Sequence, residues 1–144
     1  MSYLVDTDVL SEVRKGARGN AELQRWWAPL KAEEIHLSVL VLGEIRKGIE
    51  GRRKTDLAQV NVLERWLEQL EHMYEDKILA VDARIADVWG RLEVPNPLPI
   101  IDGLMAATAL VHGLVLVTRN VKDVQAAGCR CLNPFEPASS AVKP

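Results

Sequence analysis

Residues 3–11 read Tyr-Leu-Val-Asp-Thr-Asp-Val-Leu-Ser, and this stretch decides the fold class. A short apolar run that stops at an acid, Asp6, is typical of a buried strand. Ligands of open parallel sheets gather outside the carboxyl ends of the strands. Asp6 is therefore a candidate site residue, although a turn or helix-cap aspartate explains its position equally well.

The same alternation of short strands and helices continues along the chain. Further strands are predicted at residues 35–37, 78–81, 114–117 and 129–132. Helices are predicted at residues 11–15, 20–30, 38–49, 56–74, 82–92, 101–111 and 121–127, with a proline-rich loop at 95–99. Alternating strands and helices predict an α/β fold, in which a parallel sheet of four to five strands carries helices on both faces. We expect one domain over residues 1–136 and a fraying tail over residues 137–144.

The composition is that of an ordinary globular protein, with 48% apolar and 26% charged residues in 144. No apolar run approaches the roughly 18–20 residues that cross a bilayer, and the first residues lack the features of a signal peptide, so we expect a cytoplasmic protein. Cys129 and Cys131 lack the further ligands of a zinc site, which favours buried, reduced thiols.

Four acids are placed where they could form a metal site. Asp6 ends the first strand, Asp102 starts an almost entirely apolar helix, and Glu44 lies at the edge of a helical apolar stripe. Asp123 follows Thr118-Arg119-Asn120 at the end of another strand. Each has an ordinary alternative, since Asp102 and Asp123 could cap helices and Glu44 could face water. Together they offer the oxygen ligands that Mg²⁺ prefers, in the kind of cluster that metal-dependent phosphodiester cleavage requires.

A basic run at residues 46–54 holds five bases and one acid, in a chain whose net charge is −2. The net charge excludes a generally cationic nucleic-acid binder. The run by itself is most simply a solvated helix end. Its position just after Glu44 also allows it to bind phosphates that flank a site there.

Four motifs in order, and an ending, resemble PIN-domain toxins of the VapC type. They are Leu-Val-Asp-Thr-Asp-Val-Leu-Ser (4–11), Val-Leu-Gly-Glu-Ile-Arg-Lys-Gly (41–48), Ile-Asp-Gly-Leu-Met-Ala-Ala-Thr-Ala (101–109), Leu-Val-Thr-Arg-Asn-Val-Lys-Asp-Val (116–124) and Asn-Pro-Phe (133–135). The resemblance spans nearly the whole chain. It implies a flavodoxin-like PIN fold and an endoribonuclease that depends on Mg²⁺ or Mn²⁺.

The resemblance also assigns roles to residues. Asp6, Glu44 and Asp102 match the family's metal-site acids. Some relatives carry a fourth acid directly after the Thr-Arg pair, where this chain has Asn120, so Asp123 becomes the implied substitute. Thr118 and Asn120 would then orient water or hold a carboxylate by hydrogen bonds. In this interpretation the bases that bind RNA are Arg46, Lys47, Arg52 and Arg53.

The implied partners are RNA, a second copy of the chain and a cognate VapB-type antitoxin that occludes the site in a hetero-tetramer or larger assembly. Two other protein classes, one of enzymes and one of signalling domains, are excluded because their motifs would have to occur in a different order. A haloacid-dehalogenase-type phosphatase would use Asp6-Thr7-Asp8, but Thr118 comes too late for its next motif. A receiver domain built on Asp82 and Thr118 would need a lysine after its last strand, and residues 129–135 contain none. A catalytically weak PIN-fold module that only binds nucleic acid stays open.

Overall fold

A computed structural model describes residues 1–93 and 97–137 of the chain. The strands are β1 (Tyr3–Val5), β2 (Ile35–Ser38), β3 (Ile78–Leu79), β4 (Val115–Val117) and β5 (Cys131–Leu132). The α-helices in the described ranges are α1 (Thr7–Arg14), α2 (Ala21–Trp27), α3 (Val39–Arg52), α4 (Leu57–Met73), α5 (Ala83–Gly90), α6 (Ile100–His112) and α7 (Val121–Gln125). Short 3-10 turns lie at Gly16–Arg18, Ala32–Glu34 and Glu75–Lys77.

The five strands form one sheet in the order β3-β2-β1-β4-β5, and every pairing is parallel. This confirms the predicted α/β class and the upper end of the predicted strand count. The chain builds the sheet outward in one direction from β1 to β3, and then crosses to add β4 and β5 on the other side. The direction therefore reverses between β1 and β4, which is where such sheets open a crevice at their carboxyl ends.

The helices fall into two groups by their contacts, as expected for right-handed crossovers on opposite sides of the sheet. Helix α1 contacts α2 and α3, and α3 contacts α4, whereas α6 contacts α5, α7 and β4. Apolar residues at helical spacing explain the packing of the longer helices. In α3 the buried positions are Val41, Ile45 and Ile49. In α4 they are Val60, Leu63, Leu67 and Leu70, the apolar residues that predicted this helix.

The largest difference from the prediction is at the start of α1. This helix begins at Thr7, four residues before the predicted start at Ser11. Asp6 directly follows β1 and caps α1, because its carboxylate accepts a hydrogen bond from the Thr7 amide at 2.8 Å. The site and cap interpretations of Asp6 are therefore not alternatives, since the geometry allows both.

The remaining differences are short shifts of element ends. β3 stops at Leu79 rather than Val81, α5 at Gly90 rather than Leu92, and β5 starts at Cys131 rather than Cys129. Residues 97–99 of the predicted loop belong to no helix or strand, while residues 95–96 and most of the predicted tail 137–144 lie outside the described residues. No helix in the described ranges is long and apolar enough to span a membrane.

Both cysteines are free and buried, as predicted. Burial, together with the neighbouring Cys131, raises the pKa of the Cys129 thiol to about 12. Such a thiol is a poor nucleophile at neutral pH, because the reactive form is the thiolate.

Candidate active site

The carboxyl ends of β1 and β4 bring Asp6 and Thr118 side by side. Val5 and Val117 are partners in the parallel register, so the next residue of each strand leaves the sheet at the same level. The Asp6 amide also donates to the Val117 carbonyl at 3.0 Å. Thr118 is 3% exposed, and its hydroxyl donates to Asp6 Oδ2 at 2.9 Å. The sheet register therefore fixes one carboxylate oxygen of Asp6, and the α1 cap fixes the other.

Glu44 reaches Asp6 through Thr7. The Thr7 hydroxyl donates to Glu44 Oε1 at 2.6 Å, while its backbone amide holds Asp6. Ser38 starts α3 by accepting from the Leu40 amide, and buried apolar residues fix the rotation of the helix. Glu44, at the edge of that apolar stripe, faces this edge of the sheet and is half-buried.

Asn120 links Asp102 to Thr118 by hydrogen bonds. The Asn120 side-chain amide donates to Asp102 Oδ2 at 3.2 Å, and its backbone amide donates to Thr118 Oγ1 at 3.1 Å. Asp102 lies in the first turn of α6 rather than at its cap, which is Pro99. Its carboxylate is therefore not used to satisfy the helix end, and it is half-buried beside the strand ends.

These contacts form one carboxylate network, which consists of Asp6, Thr7, Glu44, Asp102, Thr118 and Asn120. Sequence reasoning placed five of these six residues and missed Thr7. The available signal was its position between two aspartates in a motif already singled out. The contact itself links residues 37 positions apart and could not be inferred from spacing.

The network carries negative charge without a basic side chain in contact. None of the salt bridges among residues 1–93 and 97–137 involves Asp6, Glu44 or Asp102. Burial raises the pKa of Asp6 above its ordinary value, and the nearby Glu44 and Asp8 raise it further, against the lowering effect of its hydrogen bonds from Thr118 and Thr7. A partly desolvated acid of this kind is stabilised as an anion when a cation binds beside it.

The donor set fits a hydrated divalent cation better than a closed metal cage. In the part of the chain that the structure describes, no three His, Cys, Asp or Glu side chains converge as a ready-made metal site. Hydroxyl and amide groups of Thr7, Thr118 and Asn120 separate the carboxylates instead. Magnesium commonly keeps several waters and uses one or two protein carboxylates plus substrate phosphate, which this spacing accommodates.

Asp123 does not join the network. It lies exposed in the first turn of α7, and no hydrogen bond or salt bridge to another described residue involves its side chain. Its predicted role as a metal ligand stays a prediction.

The four predicted RNA-binding bases fall into two pairs. Arg46 and Arg53 are held by acids: Arg46 makes two hydrogen bonds to Glu64, at 2.6 and 3.0 Å, and Arg53 contacts Glu50 at 2.6 Å. Lys47 and Arg52 are exposed, and neither side chain forms a hydrogen bond or a salt bridge with another described residue. Lys47 is three residues after Glu44, so it lies on the same side of α3 as the network.

The packing of α5 against α6 sets the position of Asp102. Gly103, the next residue, lies against Trp89 of α5 so closely that a Cβ at this position would be 2.8 Å from the indole Nε1. Only glycine allows α5 and α6 to approach in this way. The close packing of these helices therefore fixes the backbone that carries Asp102.

Comparison with known proteins agrees with this geometry. A family model described as the PIN domain matches residues 3–126. Toxin FitB of Neisseria gonorrhoeae is 29% identical over 142 residues, which cover 92% of this chain and 97% of that protein. VapC ribonuclease Y4jK of Sinorhizobium fredii is 30% identical over 140 residues, which cover 94% and 99% respectively.

Solved structures give the same result. The crystal structure of FitAcB from Neisseria gonorrhoeae superposes with a TM-score of 0.82 at 28% identity, and the match covers 93% of this chain and 99% of that one. These matches confirm the resemblance that the sequence motifs predicted. The chain belongs to the PIN-domain family, in which its relatives include VapC-type toxins.

Proposed function

We propose that this chain is a divalent-cation-dependent endoribonuclease, and that it acts as the toxin of a toxin–antitoxin pair. The observation that carries the proposal is the carboxylate network, in which three acids share hydrogen bonds at the sheet's switch point and none of them has a basic partner within residues 1–93 and 97–137. Two relatives, one named as a toxin and one as a ribonuclease, match 92% and 94% of the chain and support the same activity here.

Each network residue has a part in RNA hydrolysis. Asp6 and Asp102 would hold the cation, directly or through water, with Glu44 and Asp123 completing the negative cradle. When bound, Mg²⁺ or Mn²⁺ polarises the scissile phosphate and lowers the pKa of water. Thr118 and Asn120 keep the two aspartates facing the same space, and Thr7 orients Glu44 to position the attacking water. The oxygen of that water bonds to phosphorus as the bond to the leaving ribose oxygen breaks.

The partner proposal follows from the same relatives. Structural neighbours include FitAB bound to a DNA fragment, which is 26% identical to this chain. We propose that a cognate antitoxin binds this chain and blocks the carboxylate network, and that the chain forms a homodimer within a hetero-tetramer or larger complex. A cytoplasmic location fits this role and stays a prediction.

One observation favours a second candidate, a PIN-fold module that binds nucleic acid and cleaves it poorly. Asn120 contributes an amide where some relatives have an acid, and Asp123 lies outside the network. Such a module would bind RNA without strict dependence on Asp6 or on a divalent cation.

The deciding experiment is cleavage of total cellular RNA by purified, antitoxin-free protein in magnesium. EDTA and Asp6→Asn are expected to abolish the fragments. The matched control is Asp8→Asn, which removes an exposed aspartate two residues away and should leave cleavage intact. RNA binding without cleavage, by folded protein in magnesium or manganese, would contradict the nuclease proposal and favour the binding module.

A further inference from the structure

Arg119 lies between two residues of the carboxylate network. Its neighbour Thr118 contacts Asp6 Oδ2 at 2.9 Å, and its other neighbour Asn120 contacts Asp102 Oδ2 at 3.2 Å. Both neighbours are tied to site acids, while the Arg119 side chain itself is exposed. The chain therefore carries a solvent-accessible guanidinium at the margin of the network.

Phe135 holds this guanidinium in place. The Arg119 Cζ lies 3.7 Å from the centroid of the Phe135 ring, which is the stacking geometry of a cation–π contact. Phe135 is itself packed against the hydrophobic core, and its amide donates to Asn133 Oδ1 at 3.0 Å. Stacking uses the face of the guanidinium and leaves the N–H groups at its edge free to donate.

No acid of the described residues neutralises Arg119. It takes part in none of their salt bridges, in contrast to Arg46 and Arg53. Glu12 on α1, whose pKa is lowered mainly by its hydrogen bond from Lys15 and least by the charge of Arg119, already accepts from the Lys15 ammonium at 3.0 Å and from the Asn20 amide at 2.8 Å. An arginine that is oriented but not neutralised is suited to an anionic ligand with oxygen pairs, such as a phosphate.

We propose that Arg119 is a substrate-binding residue that donates to a backbone phosphate next to the scissile one, with Phe135 as the platform that orients it. The inference rests on the proposed ribonuclease function. An RNA strand whose scissile phosphate lies at Asp6 and Asp102 runs past the segment that carries Thr118 and Asn120. Arg119 is the base in that segment, and it offsets the repulsion between the RNA and the site acids.

The test compares Arg119→Ala, Arg119→Lys and Phe135→Leu, with Arg65→Ala as the matched control. Arg65 is an exposed arginine on α4, which contributes no residue to the network. For each variant kcat and KM are measured on a short single-stranded RNA that the wild-type protein cuts. RNA affinity is measured separately by fluorescence anisotropy over a range of salt, with Asp6→Asn as a common background that prevents cleavage.

Loss of the phosphate contact should raise KM more than it lowers kcat. For Arg119→Ala we expect affinity to fall about ten- to thirtyfold, and the slope of log affinity against log salt to become shallower by about 0.7, the value for one phosphate on a single strand. Arg119→Lys should keep that slope but lose part of the affinity. Phe135→Leu should do the same, because the charge remains and its orientation is lost. Arg65→Ala should change neither quantity.

Two results would overturn the inference without touching the proposed function. One is an Arg119→Ala variant that cleaves and binds RNA with the wild-type KM and salt slope. The other is a variant whose RNA binding is unchanged but which no longer binds its antitoxin, since Arg119 would then serve a protein contact. Failure of the wild-type protein to cut any RNA contradicts the proposed function, while the salt slopes still decide whether Arg119 contacts phosphate.

Discussion

The acids of the carboxylate network and the acids that form ion pairs between α3 and α4 are used in opposite ways. On the helices, Glu50 and Glu64 are paired with Arg46 and Arg53 in what we call the charge cluster, with contacts as short as 2.6 Å. At the sheet edge, Asp6, Glu44 and Asp102 are held by hydroxyl and amide donors, and no base of the described residues forms a salt bridge with them. Paired charges on this surface are structural, whereas unpaired charges that are held in position indicate a binding site.

This contrast also changes the interpretation of the basic run. From sequence alone, residues 46–54 were most simply a solvated helix end, and their position after Glu44 also allowed them to bind phosphates. Glu64, in another helix, engages both Arg46 and Arg53, so these two bases are already neutralised in the folded chain. Within the run, the bases that form no salt bridge to a described acid are Lys47, Arg52 and Lys54.

The largest expected effect comes from removing an acid of the carboxylate network, compared with removing an acid of the charge cluster. Glu44→Gln and Asp102→Asn should each lower RNA cleavage about a thousandfold, because each removes charge from the proposed metal site. Glu64→Gln removes an acid of the charge cluster and should leave cleavage within about twofold, since exposed ion pairs contribute little. Asp123→Asn should lie between them, with a loss of about tenfold, because its carboxylate is outside the network. Initial rates on one RNA substrate measure all four, and equal losses in Glu64→Gln and Asp102→Asn would refute the contrast.

Valine substitutions at two buried threonines test whether the hydrogen bonds to the acids of the carboxylate network are needed for cleavage. Thr118→Val removes the donor to Asp6 and the acceptor for Asn120, so we expect cleavage to fall ten- to a hundredfold, as is typical when the support of a metal ligand is lost. Thr108→Val is the control, because Thr108 is equally buried but its hydroxyl donates only to the Leu104 carbonyl within α6. Normal cleavage by Thr118→Val would show that Asp6 needs no such support.

Magnesium should stabilise the folded protein through the network. At a hundred times its dissociation constant, a ligand that binds only the folded state adds about 2.7 kcal/mol to the free energy of unfolding, or roughly 6–10 °C in Tm for a chain of this size. The shift should be absent in Asp6→Asn and unchanged in Glu64→Gln. Thermal unfolding with and without EDTA measures it, and an equal shift in Asp6→Asn would place the cation elsewhere.

The raised pKa of Asp6 determines whether the free energy of unfolding of the metal-free protein rises or falls with pH. Burial raises this pKa in the folded state, so the contribution of Asp6 to stability is fully present below the ordinary aspartate pKa. It is lost as pH rises through the raised value. The free energy of unfolding of metal-free protein should therefore fall over this range, and Asp6→Asn should remove that part of the decrease.

Alanine substitutions at two helical glycines test the close packing of α5 against α6 next to Asp102. Gly103→Ala should destabilise the protein by about 1–3 kcal/mol, because its Cβ would meet Trp89 at 2.8 Å and force a shift of α5 or α6. Gly48→Ala in α3 meets open space and should stabilise by about 0.4–1 kcal/mol. Urea unfolding measures both. A neutral Gly103→Ala would show that the two helices can separate without cost.

The smallest expected effect is the difference in KM for RNA between a variant that lacks an exposed base without an acid partner and a variant that lacks a base paired with an acid. Lys47→Ala should raise KM for RNA about threefold, because it removes an unpaired cation near Glu44. Arg46→Ala should raise KM less, since Glu64 already balances its charge. The reverse order would mean that RNA displaces Glu64 from the charge cluster.

Local patterns in the sequence were sufficient for the sheet and the long helices. The apolar run of β4 and the spacing of Val60, Leu63 and Leu67 in α4 depend only on neighbouring residues, so these elements were predicted within a few positions. The predicted start of α1 was wrong for two reasons. The first turn, Thr-Asp-Val-Leu, does not show apolar residues at helical spacing, and the capping residue had already been assigned to the end of a strand.

The site was predicted as a set of residues but not as a geometry. Asp6, Glu44 and Asp102 came from motif order, whereas the Thr7 contact to Glu44 and the Arg46 contact to Glu64 depend on how helices pack across the chain. Such contacts join positions distant in sequence, and spacing along one helix carries no information about them. The platform of Phe135 under Arg119 was missed for the same reason.

The central position of β1 has a consequence for synthesis of the protein. The first strand of the chain pairs with β4, and Asp6 contacts a residue 112 positions later. A fold dominated by such distant pairings closes late, because the ends of a long loop must meet before the contact stabilises anything. A chain still emerging from the ribosome, or one truncated before Thr118, has Asp6 without its neighbours. The carboxylate network therefore forms only after the chain has been made as far as Asn120.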